Sequence, residues 1–558
     1  MPPPRRADGA RGAGDDDPRD DGGGAPPNPR LRRPLLFVLV FAAAFAGLHV
    51  THASLLGLPY YWDEAGYFIP AARDIYADGS FIPHSTLSNA HPPLVMAWIA
   101  LAWKVFGFEI EVARTAMLAV AGLALAGVFA LGCRVANWRV AAAAVLLTAA
   151  YPVFFAQSTL AHLDMMVAAL TTWGLFFYLP PKWAGRPGFY ASEKFAREVE
   201  ALTKKRAAEF GPLENVFARR TLAVTFFALA ALAKETAVLV PVVLCGWELL
   251  TCRHMRLKGK GLFCVEYGGT VWRTLALLLA CVPLALWFAY HRAETGYTLG
   301  NPEYFRYNVE STLNLARILD TAWRRLAHVT THMNLWALTL AGVAAMFLKP
   351  RRDGDGERPR IDAQVQLLFL VLILAHVFAL SVVGGAVLAR YMLPVLPLVI
   401  LIWVSTLWRR VPAWPLAVAL VCAAFLYRAE VNPSYSFPWE ENLAYRDFVL
   451  LHRDAARFLE EKYPEARVLT TWPATDELLN PYYGYTSRPL KIVPAANFLR
   501  PELERAAVRK ADYDVALLYS THGGLELEEA ARILGGRVVF QERREGQWVA
   551  VVEVGGKR

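Results

Sequence analysis

The chain has 558 residues, 55% of them hydrophobic and 19% charged, with a formal net charge of +9. Many separate apolar runs of roughly 20 residues are more than a soluble core can hide, which excludes a water-soluble globular protein. The basic residues lie in short loops between those runs, as membrane topology requires, so the positive charge gives no reason to expect a nucleic-acid partner. The six cysteines, at 133, 245, 252, 264, 281 and 422, lack metal-ligand spacing and leave the late hydrophilic region empty, indicating neither a zinc site nor a disulfide framework.

Residues 1–30 are rich in Pro, Gly, Asp and Arg and predict a disordered cytoplasmic tail. Arg30, Arg32 and Arg33 precede the apolar run Leu35 to Leu58 and fix its start in the cytoplasm. That run exceeds the usual core of a signal peptide and reads as a first span. It delivers Tyr60-Tyr61-Trp62-Asp63-Glu64-Ala65-Gly66-Tyr67 to the outer side. Two adjacent carboxylates at a lipid boundary are costly unless they face water or a bound partner, so the pair reads as a functional site or a solvated turn.

The next apolar stretch, Leu94 to Phe108, is opened by His91-Pro92-Pro93 and at roughly 15 residues is short for a span. If it crossed, Arg134, Arg139 and the nine Lys and Arg from Lys182 to Arg220 would lie outside. As a juxtamembrane or re-entrant helix it leaves them inside, with Arg253 to Lys260, Lys349 to Arg360 and Arg409-Arg410. Further spans then fall at 110–133, 139–157, 163–181, 219–234, 236–251, 272–292, 332–348, 364–383, 387–407 and 412–427. The expectation is an α-helical polytopic membrane protein with about 11 transmembrane helices plus juxtamembrane helices, N-terminus inside and C-terminus outside.

This parity brings Asp63-Glu64, His91, Ala161-His162-Leu163-Asp164, Lys234-Glu235, Arg390-Tyr391 and the loop Glu294 to Thr331 to the outer face. The loop carries Tyr297, Tyr304, Phe305, Arg306, Tyr307 and His328, the aromatic and cationic content of a lid, or of plain interfacial packing. After Tyr427 no run reaches membrane length. Apolar clusters at Arg467 to Thr471, Leu490 to Val493, Val515 to Tyr519, Val538 to Phe540 and Val549 to Val554 predict strands. Helical patterning over Leu443 to Tyr463, Pro501 to Lys510 and Leu525 to Leu534 makes 428–558 a soluble α/β domain outside the membrane, after a transmembrane domain over 31–427. Gly523-Gly524 lacks dinucleotide-binding spacing.

Trp62-Asp63-Glu64, His91-Pro92-Pro93-Leu94, Leu160-Ala161-His162-Leu163-Asp164, Lys234-Glu235-Thr236 and Arg390-Tyr391-Met392-Leu393-Pro394 follow one another in a familiar order. The series resembles the GT-C superfamily of polyprenyl-phosphate-sugar-dependent glycosyltransferases, notably bacterial relatives of protein O-mannosyltransferases and lipid A aminoarabinose transferases. The resemblance covers roughly residues 34 to 427 and rests on order and sidedness. It implies a donor sugar on a polyprenyl phosphate, an acceptor that is a lipid, glycan or protein, and an outer-face reaction in a bacterial inner membrane.

For Asp63 the resemblance implies general-base chemistry in an inverting transfer, with Glu64 as a second candidate. Asp164 would orient the acceptor or hold a divalent cation with Asp63, or serve only as a first-turn residue favoured by the helix dipole. Metal dependence stays open, and no cofactor is certain. Arg390 and Lys234 are the cations for the donor phosphate, although Lys234 also reads as a snorkelling span end and Arg390-Tyr391 as an interfacial anchor. His91, Glu235, Tyr391 and His162 complete the candidate substrate-binding set, His162 being weakest because a lone histidine more often packs. The rivals are a transporter or flippase of lipid-linked sugars, which predicts repeated halves, and an anchored binding protein, which needs no charges at several span mouths.

Overall fold

The computed structural model describes residues 29–180, 216–257, 274–354, 356–521 and 524–554. Residues 1–28 of the expected tail, most of the basic segment Lys182–Arg220, the end of the segment Arg253–Lys260 and Gly523 lie outside the described residues.

The first part is helical: α1 (Pro29–Thr51), α2 (Ile69–Ala77), α3 (Leu94–Phe106), α4 (Ile110–Val135), α5 (Trp138–Ala150), α6 (Pro152–Gln157), α7 (Leu163–Tyr178), α8 (Val216–Ala233) and α9 (Leu239–Leu257). There follow α10 (Val282–Thr295), α11 (Pro302–Asn308), α12 (Leu315–Thr330), α13 (Leu335–Met346), α14 (Ala363–Val382), α15 (Leu396–Arg410) and α16 (Trp414–Glu430). Helix α4, rich in Ala, Leu and Gly without a polar face, is surrounded by α1, α3, α5 and α7, as a helix apolar all round must be. Its Gly132 lets α5 approach, since a Cβ there would stand 2.8 Å from Ala141. Asn137 caps α5, its side chain accepting from the amides of Arg139 and Val140.

Three described helical segments, Ile110–Val135, Ala276–Thr295 and Ala363–Val382, are long and apolar enough to cross a membrane, beside shorter apolar helices such as α3, α5 and α7. Leu279, Leu286, Leu367, Leu370, Phe378, Leu416 and Leu420 point outward from α10, α14 and α16 and their neighbours. Such apolar exposure is costly in water and favourable against lipid.

Several spans expected to be continuous are broken, and the breaks have local causes. The 139–157 stretch divides at Tyr151, extended at ψ 125°, because Pro152 has no N–H for the preceding turn. The 236–251 stretch starts with a 3-10 turn, Glu235–Val238, after an extended Lys234. The 387–407 stretch starts with a 3-10 turn, Ala389–Met392, before α15. Between α12 and α13 the chain turns through left-handed Met333 (φ 47°) and Asn334 (φ 66°).

The last part holds a five-stranded sheet of β1 (Arg467–Thr470), β2 (Lys491–Pro494), β3 (Val515–Tyr519), β4 (Arg537–Arg544) and β5 (Gln547–Glu553), in the order β2-β1-β3-β5-β4. β1 pairs parallel with β2 and β3, while β5 pairs antiparallel with β3 and β4. All five residues of β3 are buried, so the central strand is apolar without alternation. Helices α17 (Ala444–Lys462), α18 (Ala474–Leu479), α19 (Arg500–Val508) and α20 (Leu527–Leu534) accompany it.

This sheet unit docks on the first loop of the helical part. The Tyr60 amide donates to the Tyr483 carbonyl at 3.0 Å, and the Tyr485 and Tyr483 hydroxyls donate to the carbonyls of Tyr60 and Ala65 at 3.1 and 2.7 Å. The Trp472 ring stands edge-on to Trp62, with centroids 4.8 Å apart.

Candidate active site

The polar residues singled out in the sequence sit where apolar helices end or break, and that irregular backbone leaves room for them to meet. Asp63 begins the single-turn π-helix Glu64–Phe68, immediately after Trp62, whose φ of 43° is left-handed. A bulky residue held there costs about 1–3 kcal/mol and turns the carboxylate away from the apolar helices. Arg390 lies in the 3-10 turn before α15, Asp164 in the first turn of α7, and Lys234 between α8 and its following turn.

Arg390 is the centre. Its NH2 group donates to Asp63 Oδ2 at 2.5 Å, and NH1 donates to Glu440 Oε2 at 3.0 Å and to His162 Nδ1 at 2.7 Å. Nε faces Asp164 Oδ2 at 3.4 Å. Lys234 Nζ donates to Asp164 Oδ1 at 2.7 Å and stands 3.8 Å above the Tyr391 ring. Arg390 and Asp164 side chains are each 5% exposed, whereas Asp63 is 36% exposed, so Asp63 is the carboxylate of this set that an incoming molecule can reach.

The protons follow from the partners. His162 Nδ1 lies between the Arg390 guanidinium at 2.7 Å and the Gln157 Oε1 at 2.8 Å, while Nε2 is buried without a partner among the described residues. Burial first, and then Arg390, hold this imidazole far below its ordinary value, hence neutral. Glu440 is raised above the usual carboxylate range: burial dominates, Arg390 opposes, and Asp63, Glu441 and Asp164 add to the rise. Its Oε1 is buried without a partner. A proton there leaves two carboxylates, Asp63 and Asp164, balancing Arg390 and Lys234.

A second group lies across Phe68, whose ring is 6.0 Å from His91 and 5.9 Å from His162. His91 Nδ1 is 2.9 Å from Glu235 Oε2, and Nε2 is 3.4 Å from the Tyr304 hydroxyl of α11. A cavity of about 430 Å³ beside α11 is lined by Glu303, Tyr304, Arg306, Tyr307, Asn308 and Ser311.

Glu64 is separated from these groups in role. It is fully buried, 3.2 Å from Arg114, and accepts from the amides of Tyr61 and Ala161 at 2.8 and 2.7 Å. With every lone-pair direction engaged it ties the Asp63 loop to the start of α7.

A dication between Asp63 and Asp164 does not fit this arrangement. Asp63, His162 and Glu440 offer ligand atoms within 4.8 Å of one another, but the Arg390 guanidinium bonds all three and also faces Asp164. An ion there would displace that guanidinium, which already supplies the positive charge.

Four residues escaped the sequence reading: Glu440, Glu441, Arg114 and Arg325. Trp439-Glu440-Glu441 repeats the aromatic-acid-acid order of Trp62-Asp63-Glu64 just beyond the last apolar stretch, a signal that was available. Arg114 lies near the start of α4, and Arg325 is the second residue of an Arg324-Arg325 pair on α12; neither position has a distinguishing pattern. Arg325 is fully buried, 5.5 Å from the Tyr391 ring, with its NH1 unpartnered.

No family model matches the chain, and no curated protein matches it. Solved structures do. ArnT from Cupriavidus metallidurans bound to undecaprenyl phosphate is similar at 16% identity over 93% of this chain and 98% of that one, with a TM-score of 0.48. The archaeal oligosaccharyltransferase AglB from Archaeoglobus fulgidus, in complex with an inhibitory peptide and a dolichol-phosphate, is similar at 12% identity over 93% and 74%, with a TM-score of 0.43.

Proposed function

We propose that the chain is a membrane glycosyltransferase that moves a sugar from a polyprenyl-phosphate carrier to an acceptor hydroxyl on the extracytoplasmic side, with Asp63 as general base. The observation that carries this is a half-open carboxylate, Asp63, held 2.5 Å from a buried guanidinium that is itself fixed by Glu440, His162 and Asp164. A base so oriented can take the acceptor's proton as its oxygen attacks the anomeric carbon. The bond from that carbon to the phosphate oxygen breaks with its electron pair going to phosphate, so the anomeric centre inverts. The proton ends on Asp63 and the carrier leaves as a prenyl phosphate.

The donor's phosphate needs cations at membrane depth. Lys234 and Arg325 both reach the Tyr391 ring, and Arg325 keeps one NH1 free of partners. Arg390 is better read as the residue that aims Asp63, since three acids and a histidine already engage its guanidinium. Tyr304 lines the 430 Å³ cavity and meets His91, which is bonded to Glu235, and this chain of polar groups suits the sugar or the lipid head. In this reading the N-terminus is cytoplasmic, residues 428–558 are extracytoplasmic, and the membrane is a bacterial inner membrane.

The test compares lipid-linked sugars and envelope glycans, by mass spectrometry, in cells with the active protein and with Asp63→Asn. Accumulated donor together with one missing sugar supports transfer and names both substrates. Unchanged glycan with altered sidedness of the donor would instead indicate a flippase.

A further inference from the structure

A second constellation of ligating groups lies one residue along the chain from Glu440, and the transfer chemistry does not use it. His328 is on the last turns of α12, His332 opens the 3-10 turn His332–Asn334, and Glu441 closes the turn Trp439–Glu441. Their ligand atoms all fall within 4.8 Å of one another. His332 Nε2 is 2.6 Å from Glu441 Oε2, and the two imidazole rings have centroids 4.9 Å apart. Glu441 is fully buried, the His332 side chain is 9% exposed, and His328 is 8% exposed with Nδ1 buried and unpartnered.

We propose that His328, His332 and Glu441 bind a zinc ion that fastens α12 and its following turn to the linker entering the C-terminal sheet unit.

The donor set selects the metal class. Two imidazoles and one carboxylate suit a borderline-soft dication such as Zn²⁺, whereas Mg²⁺ and Ca²⁺ prefer oxygen-rich shells. A tetrahedral zinc with bonds of about 2.0–2.2 Å holds its ligands roughly 3.3 Å apart, so closing the site needs only small side-chain shifts.

The surroundings supply the supporting bonds that such a site needs. His332 Nδ1 is 3.2 Å from the Tyr435 hydroxyl, so when Nε2 takes the metal the ring proton moves to Nδ1 and donates there. Glu441 Oε1 accepts from the Ala389 amide at 2.6 Å, the residue before Arg390. The left-handed Met333 and Asn334 hold His332 on the Glu441 side, with the Met333 amide donating to the same Tyr435 oxygen. Unlike the Asp63, His162 and Glu440 set, these three ligands are bonded by no guanidinium among the described residues. Three protein ligands leave a fourth position for water.

The experiment uses the full chain in detergent, freed of any affinity tag, stripped with chelator and dialysed against Zn²⁺. The expected result is one zinc per chain and a higher Tm than the stripped protein, both lost in a His328→Gln/His332→Gln double variant and both kept in Asp63→Asn. Zinc that is absent from the wild type, or retained in the histidine variant but lost in Asp63→Asn, would overturn the assignment. Should the double variant fail to fold, pulsed EPR of the Cu²⁺-loaded wild type decides. Two bound imidazoles support the site, and one or none refutes it, because the Asp63 set contains a single histidine.

Discussion

Asp63 and Arg390 are 327 positions apart in the chain and 2.5 Å apart in space. That pairing brings the first loop after α1 to the turn before α15, and its two ends differ in exposure, 36% for the acid and 5% for the guanidinium. The cation is the fixed end and the carboxylate the accessible end. Asp63→Asn retains an oxygen for Arg390 and a similar volume but cannot take a proton. Transfer is therefore expected to fall about 100- to 10,000-fold while donor binding and Tm stay near wild type. Single-turnover assays with purified lipid-linked donor read this directly; a variant with unchanged kcat would remove Asp63 from the chemistry.

Glu64 is the neighbouring acid with a different task. Removing one partner of a buried ion pair strands the other charge and costs about 3–5 kcal/mol. Glu64→Ala should sharply reduce the yield of folded protein, and so should Arg114→Ala, through loss of bonds to the carbonyls of Leu58, Pro59 and Thr159 as well. Thermal unfolding in detergent checks both. A stable Glu64→Ala protein with a selective loss of kcat would return Glu64 to the reaction.

The order of the motifs in the sequence indicated which loops would matter, because charges at helix ends are conspicuous in an apolar chain. It could not show how Arg390 would be used. A lone Arg-Tyr pair reads equally as a phosphate ligand or an interfacial anchor, and only the folded chain reveals three acids around it. The same holds for Glu64, which shares its spacing with Asp63 and differs by facing Arg114. The strands at Val515–Tyr519 and Val549–Val554 were legible as short apolar runs, the second one rich in valine. The helix break at Tyr151 was less visible, since one proline in an apolar run is compatible with a kinked span. Glu440 was missed because the region after Tyr427 was read as a separate unit, whereas the linker into that unit reaches back to Arg390.

The Tyr391 ring is shared by three cations, with Lys234 Nζ at 3.8 Å and the guanidinium carbons of Arg325 and Arg390 at 5.5 and 5.7 Å. A desolvated cation over such a face gains about 0.5–2 kcal/mol. Tyr391→Leu should loosen the cations proposed for the donor phosphate and raise the donor KM about tenfold, with a smaller effect on kcat. Tyr391→Phe keeps the ring and should behave as wild type. Equal losses in both variants would point to the hydroxyl instead.

Glu440 gives the site a pH signature. An acid whose folded value is raised binds its proton more tightly when folded, so its contribution is fully present below the unfolded value of 4.5 and is lost as pH rises toward the folded one. Glu440→Gln mimics the protonated acid and can still accept from Arg390. The variant should therefore gain Tm relative to wild type as pH rises above 4.5, with the difference levelling off once wild-type Glu440 is ionised. A constant difference at every pH would mean that Glu440 does not change its proton count on folding.

Gly66 decides how closely the sheet unit can approach the Asp63 loop. A Cβ on it would lie 2.9 Å from the Trp472 ring, and Trp472 is the residue that meets Trp62 edge-on. Gly66→Ala must therefore push Trp472 outward or shift the loop, at about 1–3 kcal/mol for an overpacked contact. Because Trp62 immediately precedes Asp63, the displacement reaches the site through a single peptide unit. The variant should show faster proteolysis between α16 and α17, and a loss of transfer that Trp472→Leu, by making room, partly restores. If Gly66→Ala alone leaves proteolysis and transfer unchanged, the docking of the sheet unit has no influence on where Asp63 stands.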